Sequence, residues 1–456
     1  MQNVKILPFL VFLCLTFGCS PYSMEEVQIA FEAGDFDGAL IELDAGGKGE
    51  AKLPYLFERG LITHYGDQFD ESNRTFELAE ITSDDLYTKS ISREAVSLVT
   101  SDNLRAYAGT QYERLLIHYY RAFNYVYLNM PDDALVECRK ASRLLQFYAD
   151  ADENYEFVGA AFTAYLSGIL YEWAGDWNDA FIAYRWAERA YKQYEEVLGI
   201  PFPQDVGESL VRLARKLGFR EESEKYAAIY GEPSESAPGS GELILLYETG
   251  FVPPKIEENI VFPILKTDPI VRDDADRDEK EVREYSRTLM RRRNRRYKEV
   301  EIEYLLRVAI PAYRSNRPSI VGIDANTAHG FASGVLVEDI EAAAMKTFES
   351  ELPTIMLRTV VRGVLKYLGF RRVNQEGETL GKLVNLLNVV TESADTRSWQ
   401  TLPNQIFLVR MRLPAGKHNV RLVFSDRANR QVKADTLNDV VIWKNDTTFL
   451  NYRTFE

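Results

Sequence analysis

Cysteine and histidine are scarce in this chain, which has three cysteines and four histidines among its 456 residues. Cys138 is the only cysteine that follows Cys19, so the rest of the chain offers no second cysteine for a disulfide. The histidines are scattered along the sequence, which disfavours a histidine-based metal site; they are His64, His118, His329 and His418. We therefore expect no metal and no cofactor.

Signatures of catalysis and nucleotide binding are also missing. The chain has no glycine-rich phosphate loop, no His-Glu-x-x-His, no Cys-x-x-Cys and no Gly-x-Ser-x-Gly. Asp324, His329 and Ser333 come close together in the small-residue segment 322–334. Because triads are seldom assembled from one local segment, a turn rich in Asn, Asp and Gly is the simpler interpretation. No catalytic residue is predicted.

Acidic and basic residues are unevenly divided, although the net charge of the whole chain is −15. Residues 20–230 contain 37 acidic and 20 basic side chains, whereas residues 231–456 contain 32 acidic and 33 basic ones. An acidic front half disfavours nucleic acid as a partner, because such binding depends on neutralising phosphates. A protein partner with basic or hydrophobic features is the better electrostatic match.

The leader, residues 1–19, predicts export and lipidation. Lys5 supplies a positive start, and Ile6 to Phe17 form an apolar run shorter than the roughly 20 residues of a membrane span. Leu15 to Cys19 resembles a lipobox, which implies acylation of Cys19 after cleavage. An ordinary secretory signal cut nearby and an uncleaved anchor are the alternatives. Ser20 favours, by resemblance to enterobacterial sorting rules, the outer membrane of a Gram-negative bacterium, facing the periplasm.

Residues 23–230 have the spacing of a degenerate, tetratricopeptide-like α-solenoid. In such repeats small residues lie where the two helices of a hairpin cross, because bulk there would separate the backbones. The expected spacing is about 12 residues between two small residues, 4 to a large one and 3 to another small one. Three sets fit: Gly60, Ser72, Phe76 and Ala79; Ala122, Ala134, Cys138 and Ala141; Gly168, Ala180, Tyr184 and Ala187.

Two weaker hairpins flank these sets, with Ala30 and Ala39 in front and Ala214 and Ser223 behind. A generic helical bundle is the alternative, because the intervals between sets vary. Cys138 takes a core position in its set, so we expect a buried thiol rather than a reactive one. The many tyrosines and tryptophans are expected in the core or along a concave groove for a peptide.

A Gly-, Pro- and Ser-rich stretch, residues 231–242, predicts a flexible linker that lets two domains engage partners separately. In residues 243–456, strand-like runs are followed by helices and then by strands, which indicates an α+β domain. Its helices are expected at 338–348, 354–370 and 379–392. The predicted fold is therefore multidomain, with an all-α helical repeat domain followed by an α+β domain.

Two charged segments of this second half have open interpretations. An insertion at about 272–298, acidic in front and basic behind, predicts a solvated helix or loop. The alternative is contact with phosphate-rich lipopolysaccharide or phospholipid head groups through its arginines. Residues 352–370 predict a helix with a solvated basic stripe, or one facing an acidic surface such as the chain's own repeat domain. The arginines of the insertion are Arg291, Arg292, Arg293, Arg295 and Arg296. The basic stripe consists of Arg358, Arg362 and Lys366.

Three segments are similar to a family of bacterial outer-membrane lipoproteins with tetratricopeptide repeats. They are LILLYETGFVPPK at 243–255, LPTIMLRTVVRGVLKY at 352–367 and ADTRSWQTLPNQIFLVRMRLPAGKHNVRL at 394–422. The resemblance covers most of the chain after the leader. It implies a periplasmic or outer-membrane protein, of a kind often encoded beside small lipoproteins similar to activators of peptidoglycan synthases. It implies no catalytic residues.

These observations predict a lipid-anchored periplasmic scaffold that binds protein partners in the cell envelope, a small lipoprotein among them. No nucleic acid is expected. The alternative hypothesis is an envelope enzyme acting on peptidoglycan or peptide, with the repeats as a targeting module. Carboxylate pairs for such chemistry cannot be recognised among 69 acidic residues by spacing.

Overall fold

The computed structural model describes residues 24–45, 52–93, 107–151, 159–233, 237–272, 279–292, 301–376 and 393–456. Cys19, the helix predicted at 379–392, and Arg293, Arg295 and Arg296 lie outside these ranges. The helices are α1 (Met24–Glu32), α2 (Phe36–Ala45), α3 (Lys52–Tyr65), α4 (Phe69–Arg93), α5 (Gln111–Tyr127), α6 (Pro131–Ala151), α7 (Ala160–Ala174), α8 (Trp177–Val197), α9 (Gln204–Leu217), α10 (Arg220–Tyr230), α11 (Pro269–Arg272), α12 (Glu279–Arg292) and α13 (Ile340–Glu376). The strands are β1 (Ser240–Thr249), β2 (Lys255–Leu265), β3 (Ile302–Tyr313), β4 (Ile320–Thr327), β5 (Gly330–Ser333), β6 (Val335–Asp339), β7 (Gln405–Pro414), β8 (Gly416–Asp426), β9 (Gln431–Ile442) and β10 (Thr447–Thr454).

The first ten helices form five hairpins that share one register. Each second helix has one residue that donates its N–H to the carbonyl of the residue just before the helix, four positions earlier. These register residues are Ala39, Ser72, Ala134, Ala180 and Ser223. Five positions before each of them the chain turns through a residue of positive φ, namely Gly34, Asp67, Asn129, Gly175 and Gly218. Such recurrence is typical of a repeat rather than of a generic bundle. The predicted helical repeat half is therefore confirmed.

Two four-stranded sheets form the centre of the second half. One has the order β10-β1-β7-β6 and the other β5-β4-β8-β9. Leu243, Leu245 and Tyr247 of β1 pack towards the second sheet, whereas Ile244 and Leu246 pack against the helical half. Strand β1 is thus buried on both faces, which accounts for its continuous apolar sequence.

A smaller layer completes the α+β half. Strands β2 and β3 pair antiparallel, and helices α12 and α13 cover them. Val282 and Leu289 of α12 share one buried cluster with Val360 and Val364 of α13 and Phe262 of β2. None of the helices in the described ranges is both long and apolar enough to cross a membrane.

Several predicted details of the second half are wrong. The helices expected at 338–348 and 354–370 are one helix, α13, which passes through Pro353. Residues within 272–298 form the helix α12, whose charged face is solvated as expected but whose apolar face is buried. Arg362, expected on a solvated stripe, is almost completely buried because α12 and β3 both pack against α13. Strand β1 begins at Ser240, inside the predicted linker, because it pairs with β7 and β10 from there onwards.

The two halves share one hydrophobic core. Trp399, Leu402 and Ile406 belong to the same buried cluster as Phe57 of α3 and Tyr120 of α5. Separating the halves would expose this apolar surface to water, at a cost of about 25 cal/mol for each Å². The expectation that a linker lets the halves engage partners separately is therefore not met.

Candidate functional site

The small residues predicted at the hairpin crossings lie at close contacts between helices. A Cβ atom built on Gly60 would come within 2.5 Å of the Phe76 ring, and one on Gly168 within 2.9 Å of the Tyr184 ring. Ser72 donates a hydrogen bond of 2.7 Å to the carbonyl of Gly60. These residues set the helix spacing and are not available to a ligand. The remaining members of the three sets are buried as well: Ala79, Ala122, Ala134, Cys138, Ala141, Ala180 and Ala187.

Cys138 has the environment of a core residue. Its side chain is 4% exposed, and within the described ranges it is a free cysteine. Burial raises the pKa of its thiol to about 12, so the reactive thiolate is scarcely populated at neutral pH.

The inner face of the repeats, formed by the first helices of the hairpins, is filled by the chain's own second half. Strand β1 packs against part of it, and residues 394–404, which we call the groove segment, lie against α3 and α5. Trp399 of this segment is completely buried. Its ring stacks on Phe57 of α3 with centroids 4.8 Å apart and planes at 15°. Phe76 and Tyr120 enclose it at 5.5 and 5.9 Å. The peptide groove expected from the sequence is therefore occupied from within.

Two buried glutamates of the inner helices hold the main chain of the groove segment. Glu113 accepts a hydrogen bond of 2.7 Å from the N–H of Trp399. Glu58 accepts one of 2.7 Å from the N–H of Gln400, and both the N–H and the hydroxyl of Thr401 donate to it as well. Burial raises the pKa of Glu58 to about 7, although these hydrogen bonds by themselves would lower it. Carboxylates that accept backbone N–H groups imitate the recognition of an extended peptide.

Arg453 fastens the end of the chain to the first hairpins. Its guanidinium donates to the carbonyl of Gly250 at 3.0 Å and to that of Thr401 at 2.6 Å. Four aromatic rings surround it at 5.0–5.2 Å, which is within the range of cation–π attraction; they are Phe31, Tyr65, Phe251 and Phe455. One partly buried cation thus connects α1, α3 and β10.

Arg410 of β7 forms a second ionic connection between the halves. It donates to Glu172 of α7 at 3.2 Å and to Glu242 of β1 at 2.8 and 3.0 Å. Glu172 also accepts two hydrogen bonds from Arg212 of α9. Burial by itself would raise the pKa of Glu172, but Arg410 and Arg212 bring it down to about 2. This network therefore stays charged at physiological pH.

Glu338 of β6 is buried without compensation. In the described part of the chain neither of its carboxyl oxygens has a hydrogen-bond partner. Burial, together with the neighbouring negative charge of Asp339, raises its pKa to about 8. The folded protein therefore favours the protonated form of this side chain.

We expect Glu338→Gln to stabilise the protein at alkaline pH and to leave it unchanged in acid. The pKa of Glu338 is raised above its ordinary 4.5, so the wild type loses stability as pH rises from about 4.5 to about 8. Over that interval the free energy of unfolding of the variant should rise relative to that of the wild type by up to about 1.4 kcal/mol for each pH unit. Urea unfolding between pH 5 and pH 9 measures this difference, with exposed Glu349→Gln on α13 as control. If the free energies of unfolding of Glu338→Gln and wild type changed with pH in parallel, the prediction would be contradicted.

The histidine-containing turn proposed from the sequence does not form a triad. Asp324 and Ser333 face each other across the β4–β5 hairpin. His329 lies in the turn, about 10 Å further along the strands, where its ring contacts His418 with centroids 5.3 Å apart. The segment is accounted for as a hairpin.

Among the described residues, one cluster has the spacing of metal ligands. The ligand atoms of Glu80, His118 and Glu137 lie within 4.8 Å of one another. Arg121 already contacts Glu80 at 2.6 Å and Glu137 at 3.3 Å, and Lys140 contacts Glu80 at 2.8 Å. A metal ion would have to displace two cations, so the cluster is better described as a salt-bridge network.

The outer face of the repeats carries an apolar series in register. In each second helix a large apolar side chain points into solvent either two or six positions after the register residue defined above (Ala39, Ser72, Ala134, Ala180 or Ser223). Ile41, Val136 and Ile182 occupy the first position, and Leu78, Trp186 and Ile229 the second, with exposures between 39% and 67%. Single exposed apolar residues are common, but a repeated series on one face is typical of a protein-binding surface.

Sequence reasoning missed the residues that join the halves. Trp399 and Glu113 are 286 positions apart, and Gln400 and Glu58 are 342 positions apart. No spacing rule connects residues at such separations. Only the unusual content of the groove segment, a tryptophan within a Ser-, Thr- and Asn-containing loop, marks it in the sequence.

Comparison with known proteins shows no matching family model and no matching curated protein. The following solved structures are similar to less than half of this chain. MamA is 15% identical, covering 44% of this chain and 89% of its own, with a TM-score of 0.28. Aspartyl phosphate phosphatase F from Bacillus subtilis is 16% identical over 45% of this chain and 47% of its own, with a TM-score of 0.29. A tetratricopeptide repeat protein from Parabacteroides merdae is 13% identical over 47% of this chain and 79% of its own, with a TM-score of 0.23. Such scores carry no functional argument, so the repeat assignment rests on the hairpin register.

Proposed function

We propose that the protein is a scaffold of the bacterial cell envelope, lipid-anchored at Cys19 on the periplasmic side of the outer membrane. It binds a protein partner through the outer face of its helical repeats. The observation that supports this most is the occupation of the inner face by the groove segment and the first sheet, which leaves the apolar series outside as the available surface. The acidic charge of residues 20–230 suits a partner whose apolar contact surface is flanked by basic residues.

The outer-face proposal is tested by crosslinking in intact cells with Ile182→Ser/Trp186→Ser. Both side chains are exposed on α8, so the fold should tolerate their replacement. The matched control is Glu195→Ser/Glu196→Ser, at exposed positions of the same helix. We expect one envelope protein to be recovered with wild type and control and lost with the outer-face variant. Equal recovery with all three proteins would refute the outer face as the binding surface.

The anchor is tested by incorporation of labelled fatty acid. The wild type should be labelled and should fractionate with the outer membrane, whereas Cys19→Ala should remain unlabelled and leave that fraction. Labelling of Cys19→Ala would contradict lipidation at this residue.

A chain that begins at Ser20, incubated with peptidoglycan, tests the competing enzyme hypothesis through the release of soluble fragments.

A further inference from the structure

Helix α12 presents a row of cations to solvent. Lys280, Arg287 and Arg291 are exposed, and their spacing of seven and four residues places them on one side of the helix. No carboxylate in the described ranges forms an ion pair with any of the three. The row spans about 16 Å at 1.5 Å per residue. Arg291 belongs to the arginine cluster singled out in the sequence, whereas Lys280 and Arg287 do not.

The opposite face of α12 fixes the direction of this row. Val282, Tyr285 and Leu289 are buried among β2, β3 and α13. The hydroxyl of Tyr285 donates to Asp268 at 2.7 Å, which further restrains the rotation of the helix. The cations are therefore held outwards and do not compete for partners inside the fold.

We propose that this row docks on the anionic phospholipid head groups of the membrane that carries the anchor. The proposal rests on the lipid anchor of the proposed function, which brings the chain to that surface. Arginine forks and lysine both bind phosphate, and clustered cations add to the attraction of an anionic surface. The solvent-facing side of α12 also carries Glu281, Glu284 and Thr288 but no aromatic or aliphatic side chain. A protein interface would bury such apolar groups at its centre, so a lipid surface is the better match.

The test measures vesicle binding of a chain that begins at Ser20, since every described element starts at Met24 or later. Vesicles of phosphatidylglycerol are compared with vesicles of phosphatidylcholine at low salt. The variant Lys280→Gln/Arg287→Gln/Arg291→Gln removes the row. The control Arg185→Gln/Arg189→Gln/Lys192→Gln removes three exposed cations from α8, where Lys192 is already paired with Glu188 at 2.7 Å.

We expect the wild type and the control to bind phosphatidylglycerol and the α12 variant to bind about 100-fold more weakly, because each cation near the surface contributes about fivefold. Binding should weaken as salt is added and should be absent with phosphatidylcholine. Equal binding by the α12 variant overturns the proposal. Failure of the wild type to bind phosphatidylglycerol also overturns it and leaves an acidic protein as the occupant. Neither result affects the anchor, whose test is lipid incorporation at Cys19.

Discussion

Trp399→Ala is expected to destabilise the folded protein by about 3–5 kcal/mol, the usual cost of removing a large buried aromatic side chain. The indole is fully buried between Phe57, Phe76 and Tyr120, and it stacks on the first of these. Its removal leaves a cavity where the two halves meet, because the surrounding helices relax only partly. The free energy of unfolding, obtained from urea titration, measures the effect.

A matched control for this variant exists in the same half of the protein. Trp443 is 62% exposed, so Trp443→Ala should change the free energy of unfolding by no more than about 0.5 kcal/mol. We further expect the wild type to unfold in one transition and Trp399→Ala in two, because the groove segment joins the repeats to the sheets. Equal midpoints for the two tryptophan variants would show that the groove segment does not hold the halves together.

The hairpins could be predicted from the sequence because their contacts are local. Gly60 meets Phe76 and Gly168 meets Tyr184, and each of these pairs lies within a single hairpin. Over so short a stretch of chain the turn geometry decides which side chains meet, so small and large residues recur at fixed intervals. The irregular intervals between hairpins did not matter, since the register within each hairpin is constant.

The second half was harder to predict because its neighbours come from distant parts of the chain. The apolar run of β1 indicated a strand, but its burial on both faces depends on β7, β10 and the helices together. Arg362 was assigned to a solvated stripe because only the periodicity of its own helix was visible. The packing of α12 over α13 buries it instead. Partner elements, rather than local spacing, decide burial in such cases.

The site differs from the expected one for the same reason. A concave groove was predicted from the repeat class, but the groove segment that fills it follows α13, far along the chain from the last repeat helix, α10. Glu58 and Glu113 do not belong to the small and large residues that define the repeat spacing, so that spacing could not identify them. Both nevertheless hold the groove segment by its backbone. Recognition of an extended chain is thus a property of these repeats, and it is used within the molecule.

Arg410→Met is expected to cost about 3–5 kcal/mol at neutral pH, because it leaves two carboxylates without their shared cation. Arg410 is buried and pairs with both Glu172 and Glu242, so its removal leaves Glu172 with Arg212 and Glu242 with the more distant Arg412, at 3.8 Å. Methionine retains much of the apolar stem of the side chain, so most of the loss is electrostatic. The free energy of unfolding should recover largely in Arg410→Met/Glu242→Gln, which removes one carboxylate together with the cation and leaves Glu172 paired with Arg212.

The pH dependence of Arg410→Met separates this explanation from a packing defect. The pKa of Glu172 is lowered to about 2 in the wild type, so its stabilising contribution is complete above the ordinary value near 4.5 and is lost as pH falls towards 2. The difference between wild type and Arg410→Met should therefore shrink in acid. The control Arg430→Met removes an exposed arginine paired with Asp426 at 2.6 Å, and we expect it to leave the free energy of unfolding nearly unchanged because water screens this pair. A deficit of Arg410→Met that stays constant from pH 7 to pH 3 would assign the effect to packing rather than to charge.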